Sequence, residues 1–432
     1  MTADLARAPH GVLGAADLAR VEAALRDSDE LLRTAYPGDD GSRQPVHTAY
    51  MPADRYRPAL AAEWGAAALG AVDHAGGLDA LAARVGIDPE LAAEVVPRVR
   101  AKLQREPIED LRLDFEDGYG DRGDAVEDAD ALRAAAQVAE AVASGTAPPF
   151  IGIRFKSLEQ TTRERGLRTL DLFVGGLVDA GALPEGLMLT LPKVSTVAQV
   201  EAMVDIAAAL ERAHGLPDGR VRFEVQVETP QLVLGADGRS PLALLPRAGR
   251  GRVAALHFGT YDYTAALGIS ARHQSLEHPA ADLAKELMQL SVAGTGIRVS
   301  DGSTNILPVG ERSADAWALH ARLVRRSLER GFPQGWDLHP HQLPTRYLAT
   351  YAFYREGSRQ AMDRLRAYLE RRPGAVLDEP ATARALAEFL LRGVLCGAID
   401  DGEIADAAGV GPDSLVGLAR PRPRSPASEE SP

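Results

Sequence analysis

Short runs of β-forming residues alternate with longer stretches of helical period along most of this chain, and that alternation constrains its fold more than any other feature. The β-like runs are residues 47–51, 111–115, 150–155, 186–191, 221–227, 253–258, 297–300 and 335–339. Between most of them lie Ala/Leu/Arg-rich segments, such as 128–143, 197–214, 280–290 and 314–330, whose apolar residues recur at helical spacing. Successive runs begin roughly 30–45 residues apart, except the first pair at about 65. Eight strands, each followed by a helix over about 300 residues, match an α/β fold of the (β/α)₈-barrel kind. A doubly wound open sheet is the competing architecture, and it normally places a glycine-rich turn after its first strand to hold a nucleotide. Here that turn reads Pro52-Ala53-Asp54-Arg55.

The 432 residues allow for more than a barrel. The barrel is expected over 46–345, with the extra length after the first strand read as a helical insertion at about 64–105. Residues 1–45 form an N-terminal helical extension, whose helix, about 15–36, is expected to pack on the outside. Residues 346–419 form C-terminal helices, near 348–371 and 381–395, placed to cap the barrel or to make subunit contacts. The Pro-, Ser- and charge-rich stretch 420–432 reads as a disordered tail.

Composition narrows the function. The chain holds 61 acidic and 48 basic residues, a net charge of −13. Nucleic-acid binding needs clustered Lys and Arg to displace counterions, so nucleic acid is not an expected partner. The one cysteine, Cys396, excludes an internal disulfide and a multi-cysteine metal site, and in its apolar surroundings it reads as a small buried hydrophobe. The N-terminus lacks a basic start followed by an apolar run, and no stretch of about 18 apolar residues occurs. These features suit a cytoplasmic protein with no membrane partner.

Strand alternation carries the chemistry, because residues i and i+2 point to one face. In the second strand Arg112, Asp114 and Glu116 share a face. In the third Arg154 and Lys156 do, and in the fifth Glu224, Gln226 and Glu228 do. The outer helices cover the apolar faces, so the polar faces look into the barrel. Charges there cost several kcal/mol each unless they are paired or bound to an ion. Arg112 and Glu224, early in their strands, suit a buried network that fills the barrel. Glu116, Arg154, Glu228 and Asp262 sit at or just past strand ends, where such barrels carry their active sites. Glu228 and Asp262 are hard oxygen donors of the kind Mg²⁺ takes one or two of.

Other motifs are absent. The acidic run 114–128 lacks the spacing of a calcium loop, and no GxSxG elbow, P-loop or GxGxxG occurs. His339 and His341 flank Pro340 at the end of the eighth strand. They read as a structural turn with one substrate-facing histidine ahead of a zinc pair.

Seven short segments, taken in order, resemble the citrate lyase β-subunit-like members of the HpcH/HpaI aldolase superfamily. They are AYMPADRYRPAL, LRLDFEDG, IGIRF, LTLPKV, VQVETPQLVLG, LHFGTYDYTAALG and DLHPHQL, between His47 and Leu343. The resemblance implies a barrel with Mg²⁺, or alternatively Mn²⁺, held by Glu228 and Asp262. It implies that Arg154 grips a substrate carboxylate or enolate oxygen and that Glu116 orders water on the metal. Lys193, Gly259 and Thr260 would line the substrate. The family's activity is making or breaking a carbon–carbon bond next to a carboxylate, often in coenzyme A thioesters. Its assemblies are trimers and hexamers with a C-terminal lid from a neighbour. This sequence departs from the pattern in its N-terminal helix and long insertion, in the turn Gly118-Tyr119-Gly120-Asp121, and in its C-terminal region, where Asp400 and Asp401 are the acids a lid could use.

The expectation is a Mg²⁺-dependent lyase acting on a 2-oxo or hydroxy acid or its acyl-CoA ester. The metal and Arg154 would stabilise an enolate, with His339 as the candidate base. A metal-dependent thioesterase and a non-catalytic carboxylate-binding barrel are the alternatives. A small carboxylate is the expected ligand, and a homo-oligomer the expected assembly.

Overall fold

The computed structural model describes residues 13–370 and 379–420. Eight parallel strands form its centre: β1 (His47–Pro52), β2 (Asp110–Asp114), β3 (Phe150–Arg154), β4 (Leu189–Leu191), β5 (Phe223–Val227), β6 (Val253–Phe258), β7 (Arg298–Ser300) and β8 (Gly335–Asp337). They pair in sequence order from β1 to β7, and β8 pairs with β1. A parallel bridge between Ser300 and Gln334 joins the last seam. Gln44 spans it as well, its Nε2 donating at 3.0 Å both to the Val299 carbonyl and to Gln334 Oε1. The expected (β/α)₈ barrel is what forms.

Several strands run shorter than their β-forming residues, and at β4 and β8 the reason is plain. β4 begins at Leu189 because the residues before it make only the single bridge Ile151–Leu187. β8 stops at Asp337 because the next backbone N–H, of Leu338, donates to Gln342 Oε1 at 2.8 Å and Pro340 starts a 3₁₀ turn.

Sixteen helices surround the strands among the described residues. α1 (Ala15–Ala35) precedes the barrel. α2 (Leu60–His74), α3 (Leu78–Arg84) and α4 (Pro89–Arg105) occupy the long segment between β1 and β2. α5 (Asp124–Ala143), α6 (Arg163–Asp179) and α7 (Val197–His214) follow β2, β3 and β4. The short α8 (Pro230–Val233) and α9 (Leu245–Ala248) lie between β5 and β6. α10 (Thr260–Ala266) and α11 (Pro279–Val292) follow β6, and α12 (Ser313–Glu329) follows β7. α13 (Leu343–Leu369), α14 (Pro380–Leu395), α15 (Asp401–Ala408) and α16 (Pro412–Ala419) come after β8.

The core sits between strands and helices, built from the outward apolar faces: Leu111 and Leu113 of β2, Ile151 and Ile153 of β3, Val225 and Val227 of β5, all fully buried. Inside, Arg112 is fully buried and plugs the barrel. It donates to Asp110 Oδ1 at 2.6 Å, to Glu224 Oε2 at 2.8 Å and to Thr190 Oγ1 at 2.9 Å. Arg112 thus has each of its guanidinium nitrogens paired, the condition for burying a charge there.

The ends of the chain differ from expectation. α1 does not pack on the barrel, since none of its residues is buried. The C-terminal helices dock on the inserted helix α4: Arg98 of α4 holds Asp400 at 2.7 Å and Glu403 at 2.9 Å, and Asp400 also caps α15. Asp400 therefore serves as a structural partner. The tail beyond Arg420 lies outside the described residues. Cys396 is buried as expected, its Sγ 3.3 Å from the Gly393 carbonyl. No helix among the described residues is long and apolar enough to cross a membrane.

Candidate active site

At the C-terminal ends of β2, β3, β4, β5 and β6, two cations and five carboxylates converge. Arg154, the last residue of β3, lies in register with Asp114, the last residue of β2. Its Nε and Nη2 donate to the two oxygens of Asp114 at 2.7 and 2.6 Å, a bidentate clamp with the guanidinium edge-on. The same two oxygens, Oδ1 and Oδ2, also accept the backbone N–H groups of Glu116 and Gly118 at 3.0 and 2.7 Å. Asp114 is thereby fixed by the chain turn after β2, and it fixes Arg154 in turn. The remaining Nη1 of Arg154 faces Glu116 Oε2 at 3.4 Å, and the guanidinium stands 5.0 Å over the Tyr50 ring. Burial opposes the charge on Arg154, but Asp114 and Glu116 outweigh it and raise its pKa.

Lys193, just beyond β4, has a backbone φ of +50°. A non-glycine residue held in the left-handed region is strained, and such strain concentrates at functional turns. The conformation delivers its backbone N–H to Glu228 Oε1 at 2.7 Å. Its ammonium ion-pairs with Glu116, approaches the Asp117 oxygens at 2.9 and 3.0 Å, and lies 3.3 Å from Asp262 Oδ2. Burial depresses the lysine pKa less than Glu116 and Glu228 raise it, so Lys193 is charged.

The carboxylates are not equivalent. Glu228 is buried, and desolvation, with repulsion from Asp262 and Glu116, pushes its pKa up to about 8 in spite of Lys193 and Arg154. Glu116 is also raised, first by burial and then by Asp117 beside it. Asp117 ends below its usual range, because Arg154 and Lys193 outweigh burial. Asp262 lies in the first turn of α10 with its side chain 45% exposed. One acid is therefore deep and dry, and its neighbour opens to the mouth.

Gly259, between β6 and α10, lies against Glu228. A Cβ there would overlap the Glu228 Cβ and come within 2.5 Å of its Oε2, so only glycine lets the strands hold that carboxylate. Thr260 is buried, with its hydroxyl 3.4 Å from the Ser303 carbonyl.

Of the residues singled out by sequence, the fold brings together Glu116, Arg154, Lys193, Gly259, Glu228 and Asp262. His339 is not joined to them by any hydrogen bond or ion pair among the described residues. Its Nδ1 accepts the His341 backbone N–H at 3.2 Å, and burial and His341 lower its pKa, so the ring is neutral. A neutral ring whose lone pair is used carries its proton on the other nitrogen. His339 therefore stands apart from the acid cluster, with Nδ1 occupied by the His341 N–H and Nε2 left as the ring's other polar atom. His341 turns its Nδ1 to the Pro308 carbonyl at 3.0 Å, so the two histidines are not arranged as a chelating pair. Asp114 and Asp117 were missed as site residues. Asp114 shares the inward face of β2 with Arg112 and Glu116, and that alternation was the available signal.

The residues fit a hard divalent cation. A deep, desolvated carboxylate held near neutrality beside a more exposed one is what lacks a cation, and the Lys193 ammonium is the charge that now stands among these acids. No group of three or more His, Cys, Asp or Glu among the described residues forms a ready cage.

A family model described as a domain of unknown function (DUF6986) matches residues 25–423. The chain belongs to the DUF6986 family. No curated protein matches the sequence. Among solved structures, a citrate lyase from Burkholderia xenovorans LB400 is 19% identical with a TM-score of 0.55, over 87% of this chain and 97% of that one. The protein CitE from Mycobacterium tuberculosis, in complex with magnesium, acetoacetate and coenzyme A, is 18% identical with a TM-score of 0.49, over 83% and 99%. Haloferax volcanii malate synthase, in its magnesium/glyoxylate complex, is 16% identical with a TM-score of 0.48, over 88% and 98%. At such identities the likeness is one of fold. This DUF6986 member has the barrel expected from its resemblance to the citrate lyase branch of the HpcH/HpaI superfamily.

Proposed function

We propose that this DUF6986 protein is a Mg²⁺-dependent carbon–carbon lyase acting on a carboxylate-bearing 2-oxo or hydroxy acid, or its acyl-CoA ester. One observation carries the reading: a buried carboxylate of raised pKa, Glu228, stands beside Asp262 at the barrel mouth, across from an arginine locked in place by Asp114. Glu228 and Asp262 would hold the metal, which when bound supplies Lewis acidity to a carboxylate and the oxygen next to it.

The chain's own residues do the rest. Arg154 presents Nη1 as a fixed, permanently charged donor to a substrate oxygen on which negative charge develops. Because Asp114 already holds the other two donors, little reorganisation is needed as that charge forms. Lys193 adds a second positive charge within the same acid cluster and, by pairing with Glu116, opposes the rise that burial gives that carboxyl's pKa. The buried side of the site, walled by Tyr50, limits water and strengthens these interactions. The shared fold with a citrate lyase supports the reading at the level of architecture.

Calorimetric titration with Mg²⁺, and an assay of pyruvate release from 4-hydroxy-2-oxo acids and of acetyl-CoA plus 2-oxo acid release from 3-hydroxyacyl-CoA esters that carry a carboxylate on C3, test it. Divalent-dependent C–C cleavage that disappears in the Glu228→Ala/Asp262→Ala variant is expected. Full activity in that variant, no binding of Mg²⁺, or release of free thiol without C–C cleavage would each reject the proposal.

A further inference from the structure

Four side chains ring the barrel axis one strand layer inward of the acid cluster. Gln226 lies two residues before Glu228 on the same face of β5, and its register partner on β6 is His257. Gln226 Nε2 donates at 3.1 Å to the Tyr50 hydroxyl. The Tyr50 ring stands 4.8 Å from that of Trp336, and the Trp336 ring 6.4 Å from that of His257. The circle is thus closed, and the Arg154 guanidinium sits 5.0 Å over Tyr50.

Three of the four carry buried polar atoms with no hydrogen-bond partner among the described residues. These are Gln226 Oε1, Trp336 Nε1 and both ring nitrogens of His257. His257 Nε2 comes within 3.2 Å of Glu224 Oε2, one layer deeper, but without the alignment of a hydrogen bond. Buried polar groups are nearly always matched, so a cluster of unmatched ones marks a place that a polar group enters. Tyr50 and Trp336 each keep 7% of their surface, so the layer is not sealed.

The unmatched atoms define the guest. The Trp336 N–H only donates, so the guest has to accept; Gln226 Oε1 only accepts, so the guest has to donate. A hydroxyl does both. Turning the amide over frees its NH₂ in place of Oε1, and a hydroxyl still matches it. A carboxylate only accepts, and it would stand over Asp110 and Glu224, which share the single charge of Arg112. An ammonium only donates and leaves the Trp336 N–H stranded. His257 is neutral, because burial lowers its pKa in spite of Glu224, so it brings one donor, one acceptor and no charge.

We infer that Gln226, His257 and Trp336 form a specificity subsite for an uncharged hydroxyl at the far end of the substrate, whose acid end lies at Glu228 and Arg154. The inference rests on the function proposed above, which puts the acid end at the metal. Two residues along a strand span about 7 Å, so that hydroxyl is about six bonds from the metal-bound oxygen.

Calorimetry on the full chain with Mg²⁺ and three 2-oxo acids of one length tests this. They are 2-oxohexanoate, 6-hydroxy-2-oxohexanoate and 2-oxohexanedioate, which end in a methyl, a hydroxyl and a carboxylate. The hydroxylated acid should bind about 30-fold or more tighter than either of the others. Trp336→Phe and Gln226→Leu should each cut that preference by about tenfold and leave the affinity for 2-oxohexanoate unchanged. Trp336→Phe keeps the ring and removes only an unmatched donor, so it reports on the subsite even if Gln226→Leu fails to fold. Equal binding of the methyl- and hydroxyl-ended acids overturns the inference and marks a layer that holds buried water only. Tightest binding of 2-oxohexanedioate, or a hydroxyl preference that both variants retain, also overturns it. These results leave the metal site standing, whereas binding of none of the three acids rejects the proposed function and the subsite with it.

Discussion

Replacing Glu228 by Gln isolates the cost of keeping this carboxylate in place. Its pKa stands at about 8 against an ordinary 4.5. A raised carboxyl pKa means the folded chain binds the proton more tightly than the unfolded one. Stability from this group is therefore complete below pH 4.5, declines as pH rises from 4.5 to about 8, and is level above that. At about 1.4 kcal/mol per unit, the full loss is about 5 kcal/mol. It is under about 1 kcal/mol at pH 5 and about 3 kcal/mol at pH 7. Gln keeps an oxygen for the Lys193 N–H but never ionises, so it carries none of this slope. Urea unfolding of both proteins with a chelator present reads the difference directly, because every other titrating group is common to the two. The variant should gain on the wild type from pH 5 to about pH 8 and hold that gap above it. Adding Mg²⁺ should restore the wild type and leave the variant unmoved. A gap independent of pH, or a wild type that is the more stable at pH 8 without metal, would refute the reasoning.

Other outcomes follow from the same geometry. Asp114→Asn removes half the charge pairing of a buried Arg154, and should cost about 3 kcal/mol in urea unfolding as well as raising KM for the acid substrate. Gly259→Ala pushes a Cβ into Glu228 and should weaken Mg²⁺ binding by at least about tenfold in calorimetry, with the circular dichroism spectrum unchanged. Lys193→Met removes the ammonium that lies among Glu116, Asp117 and Asp262; the divalent ion should then bind more tightly while turnover falls, and weaker binding would show that Lys193 supports the ion rather than competing with it.

The sequence by itself determined whatever depends on local period. Alternation in β2, β3 and β5 put Arg112, Asp114, Glu116, Arg154, Glu224 and Glu228 on inward faces. The order of strands and helices put the ends of those strands at one mouth, with Asp262 in the turn beyond β6. That reach is physical, because side-chain direction along a strand is set by neighbouring backbone and needs no knowledge of what lies opposite. What lies opposite was decided by tertiary structure. Register across the barrel made Asp114 the clamp of Arg154, and the left-handed turn at Lys193 carried its ammonium to acids on two other strands. Desolvation, which no spacing reports, separated Glu228 from Asp262. A single backbone hydrogen bond, from the His341 N–H, occupies Nδ1 of His339. The same division holds outside the site: the helix α1 is legible in its residues, but only the folded chain shows that none of them is buried, because burial depends on where the rest of the surface ends up.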